Sequence, residues 1–298
     1  MKRLSKLERN KKLTPFAITA TILLTFYSFL LIFPLLWAVF SSLKLQIDFI
    51  NTVFAWPKFG FQWGNWIKAF VEIEVPVLSS SGSRNVQLYE MFFYSLVYAI
   101  STGLIGVFSR SACAYVAAKY KHLKWTAFVH TLVIILMIVS FPSNLAVSIK
   151  FYKITGLYNN FIMCCVMSFG FTGANFLYFY AAYCGVSSEY AEAAEIDGAN
   201  QLTIMLKIMM PMVKNIFIAL FMLDFIAVWN NYTTSLVYLP RYPMVAYGLY
   251  IYQNATGGSS GVPLKLAGCA LVIIPTLTIF IIFRNKIVSN LSIGGLKG

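Results

Sequence analysis

The sequence is poor in charged residues, and acidic residues are the scarcest. Only 11% of its 298 residues are charged, with 10 Asp and Glu against 23 Lys and Arg, whereas 59% are hydrophobic. An ordinary soluble domain carries about 25% charged residues, so a soluble globular protein is excluded. The net charge of +13 does not indicate nucleic-acid binding, because most basic residues stand in short segments beside apolar stretches and no basic soluble domain could hold a duplex.

Several motifs that would support chemistry are also missing from the sequence. There is no G-x-x-x-x-G-K-[ST] phosphate loop, which excludes ATP binding by that route. The five cysteines form no C-x-x-C pair and have no zinc-like spacing with His122 or His130. We therefore expect no catalytic residue, no metal site and no cofactor, and we interpret the protein as a non-enzyme.

Long apolar stretches dominate the rest of the sequence. A helix that crosses a membrane needs about 20 mainly apolar residues, and six stretches of suitable length can be placed. They are residues 14–40, 89–110, 125–147, 159–183, 213–239 and 264–284. The predicted fold class is all-α, a polytopic membrane protein with six transmembrane helices. The first stretch is too long for a signal peptide and no small-x-small cleavage site follows it, which favours an uncleaved helix.

The distribution of Lys and Arg predicts the orientation in the membrane. If the N-terminus is inside, the inner segments contain about twice as many basic residues as the outer segments. We therefore divide the chain into a basic N-terminus (1–13), a transmembrane domain (14–284) and a C-terminal tail (285–298). Both termini and the loop at about 187–211 are expected on the cytoplasmic side.

The longest expected outer loop, at about 41–88, is rich in aromatic residues. These are Trp56, Phe59, Phe61, Trp63 and Trp66. Anchoring in the membrane interface, where indole rings prefer to lie, is favoured over an aromatic platform for sugars. The serine-rich stretch at 79–83 is predicted to be a flexible linker.

The loop at 187–211 is a polar, helix-favouring island between two apolar stretches. Ser188 is predicted to cap a first short helix. Gly198 tolerates the left-handed conformation that ends a helix, and Asn200 is suited to cap a second one. Pro211 is predicted to interrupt that second helix before the next apolar stretch.

Asp224 is the only acidic residue within the fifth predicted span. A carboxylate in a membrane is costly and usually faces a partner or a cavity. On a helix, Asn231 lies close to the same face. A hydrogen-bonded aspartate that packs helices is favoured over a polar lining of a translocation path, but both interpretations stay open. In the fourth span, Gly170 and Gly173 are interpreted as sites of close helix packing rather than a break.

The 187–211 loop carries a recognisable pattern. The sequence E-A-A-x-x-x-G at 192–198 is followed after nine residues by Ile208-x-x-Pro211, with Met210 where leucine is usual. This pattern resembles the EAA loop of permease subunits in bacterial ABC importers, and we call residues 187–211 the EAA loop. The segments 114–120, 225–230 and 290–298 are similar to parts of carbohydrate-uptake permeases of the maltose-transporter G-subunit type.

The resemblance implies a type I ABC importer permease fold in a bacterial plasma (inner) membrane. It implies a heterodimer with a second permease subunit, a cytoplasmic ATPase dimer, an extracellular solute-binding protein and a carbohydrate substrate. By motif match, the residues that would dock on the ATPase are Glu192, Ala193, Ala194, Gly198, Ile208 and Pro211. The residues of the tail that would contact the ATPase are Gly295, Leu296, Lys297 and Gly298. The candidates for lining the translocation path are Asp224, Trp229, Asn230 and Asn231.

Two alternatives stay open at this point. One is an importer permease of the same architecture for a non-sugar solute. The other is a stand-alone proton-coupled carrier or membrane enzyme, which would need several intramembrane acid–base groups, and the sequence offers only Asp224.

Overall fold

The computed structural model describes residues 15–79, 82–139, 145–254 and 261–291. These ranges fold into helices joined by short turns, together with one β-hairpin. The helices up to residue 184 are, in chain order, α1 (Pro15–Ser42), α2 (Gln46–Asn51), α3 (Gly64–Glu72), α4 (Leu88–Lys119), α5 (Lys124–Ile138), α6 (Leu145–Ile154), α7 (Phe161–Val166) and α8 (Ala174–Cys184). Those that follow are α9 (Glu189–Ile196), α10 (Gln201–Thr203), a π-helical segment (Ile204–Met209), α11 (Met210–Met212), α12 (Lys214–Trp229), α13 (Thr233–Val237), α14 (Val245–Asn254) and α15 (Val262–Leu291).

Three of the described helices are long and apolar enough to cross a membrane, namely α1, α4 and α15. Residues 201–212 and α12 add a fourth crossing if this pair, bent by 79°, is counted as one span, and α5 is a shorter apolar helix. The predicted all-α membrane architecture is confirmed. The six expected crossings, however, are not six uninterrupted helices.

The expected fourth span, 159–183, is broken in the middle. Helix α7 ends at Val166 and α8 begins at Ala174, and Gly173 has a φ of +105°. A Cβ atom at Gly170 would meet nothing within 4 Å, so the interpretation of these two glycines as close-packing sites is wrong. They belong to a segment in which the backbone leaves the helix.

The expected third and fifth spans are shorter than predicted. Helix α5 ends at Ile138, so residues 125–147 are not one helix. Helix α12 ends at Trp229, where the Asn230 side chain donates a hydrogen bond to the Ile226 carbonyl at 2.9 Å. A side chain that bonds the last carbonyls of a helix competes with its continuation.

The described chain divides into two compact units, with residues 15–70 and 261–271 in the first. In this unit the expected outer loop is a folded segment. The buried Lys44 donates from Nζ to the carbonyls of Thr52 and Val53 at 3.0 and 2.9 Å. The Asp48 carboxylate accepts from the backbone N–H of Lys58 at 3.1 Å. Each charge is satisfied by backbone groups, as a buried charge requires.

The second unit, residues 71–254 and 272–291, is built around α4. Helices α8 and α12 pack against α4, and their shared core includes Val107, Phe176, Phe179 and Leu220. In the same unit, β1 (Glu74–Ser79) pairs antiparallel with β2 (Gly82–Gln87). The predicted flexible linker at 79–83 is therefore wrong for Ser79, Gly82 and Ser83, which pair across the hairpin.

Candidate functional site: the EAA loop and a polar cluster

The EAA loop forms two short helical segments joined by a turn. Ser188 precedes α9 as predicted, but its side chain makes no capping hydrogen bond because its backbone is already helical. The Ser187 hydroxyl instead accepts from the Glu189 N–H at 3.3 Å. The Asn200 carboxamide accepts from the Thr203 N–H at 2.8 Å, which confirms the predicted second cap.

Gly198 makes the turn between the two helical segments. Its φ is +82°, and an added Cβ would meet nothing within 4 Å. Glycine is therefore favoured here by the backbone conformation and not by lack of space. An ordinary L-residue in this left-handed region costs about 1–2 kcal/mol.

The second helical segment is interrupted close to Pro211 and before the next apolar stretch, as predicted, although the break itself falls two residues later. The chain stays helical from Met210 to Met212 and breaks at Val213, after which α12 runs in a direction bent by 79°. The six residues before Met210 are π-helical. In an α-helix, proline removes one backbone hydrogen bond and its ring clashes with the carbonyl four residues earlier. A π turn, in which hydrogen bonds span five residues, relieves this clash locally.

Helix α9 has two distinct faces. Ala191 and Ala194 are buried in the core of the second unit, whereas Glu192 and Ala193 are exposed. Ile196, near the turn, is 87% exposed. The second alanine of the E-A-A pattern thus packs inward, and the glutamate and first alanine remain accessible to a partner.

A closed hydrogen-bond network ties both helical segments of the EAA loop to the end of α4. Lys119 Nζ donates to Glu195 Oε1 at 2.5 Å and to Gln201 Oε1 at 2.6 Å. Gln201 Nε2 also donates to Glu195 Oε1 at 2.8 Å. The hydrogen bond from Lys119, followed by that from Gln201, holds the pKa of Glu195 below its usual range.

A cavity of about 510 Å³ lies beside this network. Tyr115 and Lys119 of α4, Tyr183 of α8, and Glu192 and Glu195 of α9 contribute to its lining. The Ser111 and Tyr183 hydroxyls are 2.9 Å apart in the buried contact between α4 and α8. The EAA loop is therefore seated on a packed pair of helices.

The second candidate site is a polar cluster formed by Arg110 of α4, Asn175 of α8 and Asp224 of α12. Asn175 Nδ2 donates to both Asp224 carboxylate oxygens, at 3.1 and 3.0 Å. Arg110 Nη1 lies 3.9 Å from Asp224 Oδ2. The arginine and aspartate side chains are 24% and 31% exposed. Asp224 is hydrogen-bonded to Asn175 of another helix, as the packing interpretation expects, and the path-lining interpretation stays a prediction.

Helix α4 supplies hydrogen-bond partners to the broken segment next to this cluster. Ser109 Oγ donates to the Gly170 carbonyl at 2.9 Å, and Arg110 Nε donates to the Thr172 carbonyl at 2.9 Å. Gly106 permits this close approach, since its Cβ would lie 2.6 Å from Arg110 Nη1 and 3.3 Å from the Ser168 carbonyl. The non-helical backbone is satisfied by side chains, as membrane depth demands.

The structure does not gather the four predicted path residues in one place. Asp224 lines a cavity of about 230 Å³ next to Arg110. Trp229 is 1% exposed, stacks on Phe225 at 5.7 Å between ring centroids, and donates to the Val272 carbonyl at 3.3 Å. Asn231 Oδ1 accepts from the Thr233 N–H at 2.9 Å. Trp229 is therefore a core residue here and Asn231 caps α13.

The predicted tail contact, Gly295–Gly298, and the basic N-terminus lie outside the described residues. Three residues of these sites escaped prediction: Lys119, Arg110 and Asn175. Arg110 was assigned to an inner segment because the second span was expected to end there, whereas α4 continues for nine more residues. Asn175 gave no signal by itself, since its role depends on a partner 49 positions away.

Together, the long apolar helices and the bent helix pair define a multi-pass integral membrane protein. Residues 110–292 match the family described as binding-protein-dependent transport system inner membrane component, and the chain belongs to that family. Its members are transport components rather than enzymes, and they act with partner proteins.

Relatives match over nearly the whole length of the chain. The chain is 24% identical to the arabinooligosaccharides transport system permease protein AraQ of Bacillus subtilis (98% of this chain, 100% of the relative). It is also 24% identical to the sulfoquinovosyl glycerol transport system permease protein SmoH of Agrobacterium fabrum (90% and 89%). A bacterial ABC transporter for import of the acidic polysaccharide alginate contains a chain with the same fold (TM-score 0.74, 16% identity, 91% and 95% coverage).

Proposed function

We propose that this chain is a permease subunit of an ATP-binding-cassette importer for a sugar or oligosaccharide. Family membership supports the permease role, and the names of several full-length relatives, which transport arabinooligosaccharides, galactooligosaccharides or multiple sugars, support the carbohydrate class. A second permease subunit completes the membrane path as a heterodimer. An extracellular binding protein delivers the sugar.

The observation that carries the driving mechanism is the seating of the EAA loop on α4. Its exposed face presents Glu192 and Ala193, with Ile196 and Leu202 as exposed apolar side chains near the turn. An apolar tip beside a carboxylate suits a cleft in a partner protein, because apolar burial supplies affinity and a charge-assisted hydrogen bond supplies direction. In this proposal the partner is one subunit of a cytoplasmic ATPase dimer.

The remaining residues of the motif have supporting roles in the same proposal. Gly198 sets the turn, and Ile208 and Pro211 shape the return towards α12. Ala194 keeps α9 close to the core. Both termini lie in the cytoplasm in this orientation, and Gly295–Gly298 contact the ATPase dimer.

A pair of substitutions at Gly198 tests the docking role. In Gly198→Val a β-branched residue must adopt a positive φ, which costs about 1–2 kcal/mol or more, and we expect co-purification of the ATPase and sugar uptake to fall about tenfold or more. Gly198→Asn is the matched control, since asparagine tolerates this conformation, and it should retain most of both. The amount of protein in the membrane fraction should be similar for the two variants.

Normal ATPase binding and uptake in Gly198→Val would contradict the docking role. The solute class is tested separately by purifying the cognate binding protein and measuring which labelled oligosaccharide it retains. Retention of an amino acid or a metal ion instead of a sugar would replace the carbohydrate assignment with the non-sugar alternative.

A further inference from the structure

We propose that Arg110 and Asp224, whose carboxylate Asn175 holds in place, form a subsite for one neutral, hydroxyl-rich sugar ring in this subunit. The inference rests on the proposed carbohydrate function and deepens it, because it specifies where this chain contacts the solute. It concerns the cavity bounded by α4, α12 and the broken segment between α7 and α8.

The size of the cavity limits what it can hold. Its volume is about 230 Å³, below the range of roughly 300–1,000 Å³ typical of pockets that enclose a drug-sized ligand. The cavity is open to one side, so it can take one ring of a longer sugar while the neighbouring rings lie outside it.

The lining has a polar and an apolar part, which matches the surface of a sugar ring. The polar residues are Thr102, Arg110, Ser168 and Asp224, and the apolar or small ones are Gly103, Ala227 and Val228. A pyranose or furanose ring presents hydroxyls at its edge and C–H groups on its faces. A few polar groups that fix orientation within a mainly apolar pocket are typical of small-molecule sites.

The spacing of the charged pair favours a hydroxyl as its partner. Charge-assisted N–H···O bonds are about 2.7–2.9 Å long, whereas Arg110 Nη1 and Asp224 Oδ2 are 3.9 Å apart. A hydroxyl both donates and accepts, so one sugar hydroxyl can donate to the carboxylate while it accepts from the guanidinium. The pair then gains two hydrogen bonds without losing its mutual attraction.

The charges also indicate a neutral rather than an acidic sugar. Arg110 and Asp224 balance each other, so the cavity has no net charge with which to select a carboxylate. An anion would meet the Asp224 carboxylate at close range, and like charges at low dielectric repel strongly. Asn175 holds that carboxylate in place through both of its oxygens.

The test uses the complete complex of both permease subunits and the ATPase in lipid nanodiscs, without the binding protein. Equilibrium binding of tritiated arabinotriose and galactotriose, which are neutral, is compared with that of trigalacturonate, which is acidic. We expect Asp224→Asn to weaken binding of the neutral probes about tenfold, the usual effect of losing a hydrogen bond to a charged group. It should also raise the ratio of acidic to neutral binding, because the Arg110 charge becomes unbalanced.

The change in ratio separates a binding role from a packing role. Thr131→Val is the matched control, since Thr131 is a polar residue of an apolar helix that bonds only its own helix at the Ala127 carbonyl among the described contacts, and it should leave binding of all three probes unchanged. A proportional loss for every probe in Asp224→Asn, or no binding of the neutral probes by the wild type, would overturn the subsite. Failure of the whole importer to take up any sugar with its own binding protein would instead overturn the proposed function.

Discussion

Helix α4 takes part in two ion pairs, which differ in the distance between their charges and in what surrounds them. Lys119 and Glu195 are joined at 2.5 Å, and their side chains are 19% and 42% exposed. Arg110 and Asp224 are 3.9 Å apart, and their side chains are 24% and 31% exposed. The Lys119–Glu195 pair, called the short pair, belongs to a hydrogen-bond network that holds the EAA loop against α4. The Arg110–Asp224 pair lines a cavity. Distance ranks the first pair as the stronger. The Glu195 carboxylate is the more exposed of the two acidic groups (42% against 31%), so water replaces its partner more readily when the pair is broken.

The largest change in stability is expected when only one member of the Arg110–Asp224 pair is removed. Arg110→Leu leaves Asp224 uncompensated, and we expect it to lower the free energy of unfolding by about 2 kcal/mol, less than the 3–5 kcal/mol of a fully buried pair because both side chains are partly exposed. Thermal unfolding of the purified complex measures this. The double variant Arg110→Leu/Asp224→Leu should be more stable than the single one, and the reverse order would show that the two charges do not depend on each other.

Gly106→Ala is expected to have a smaller effect, which changes sugar uptake but not stability. The new Cβ would lie 2.6 Å from Arg110 Nη1, which is too close, so the guanidinium must move while its charge is kept. We expect sugar uptake to fall a few-fold with no loss of thermal stability, because alanine favours the helix by about 1 kcal/mol over glycine. Gly170→Ala is the control, since its Cβ meets nothing within 4 Å. Equal uptake in the two variants would mean that the position of Arg110 is unimportant.

The smallest effect on stability is expected at the short pair. Lys119→Gln should lower the free energy of unfolding less than Arg110→Leu does, because the Glu195 carboxylate is in contact with water and stays solvated when its partner loses its charge. It should still loosen the EAA loop, which we expect to appear as more ATP hydrolysed per sugar transported in proteoliposomes. The charge reversal Lys119→Glu/Glu195→Lys should restore the wild-type ratio. A ratio that stays abnormal in the reversed pair would assign the effect to side-chain shape.

The pH dependence of the Lys119–Glu195 contact gives a further test of its role in holding the EAA loop. Because the hydrogen bond from Lys119 lowers the pKa of Glu195, this contact contributes fully above the ordinary glutamate pKa and is lost only as the pH falls through the lowered value. Hydrogen exchange of the EAA loop should therefore remain slow at pH values where an ordinary glutamate is already protonated. In Lys119→Gln the loss of protection should begin at higher pH.

The parts of the fold that depend on local chemistry could be predicted, and those that depend on distant partners could not. The helix caps at Asn200 and the turn at Gly198 follow from the residues themselves. Apolar length located α1, α4 and α15. The break in the fourth span was missed because apolarity persists through it, and it is stabilised by Ser109 and Arg110, which lie about 60 positions earlier.

The position of α4 in both sites has a geometric consequence. Lys119 and Arg110 are nine residues apart on one unbroken helix, which places them about 14 Å apart along its axis and on nearly opposite sides of it. Both residues lie in the C-terminal half of α4 (Leu88–Lys119), so a tilt of the rigid helix about its middle moves them in the same direction, and Lys119 moves farther. If a partner pulls on the EAA loop, the Lys119 end follows it, and the tilt carries Arg110 along and alters its gap to Asp224 without any relay of side chains.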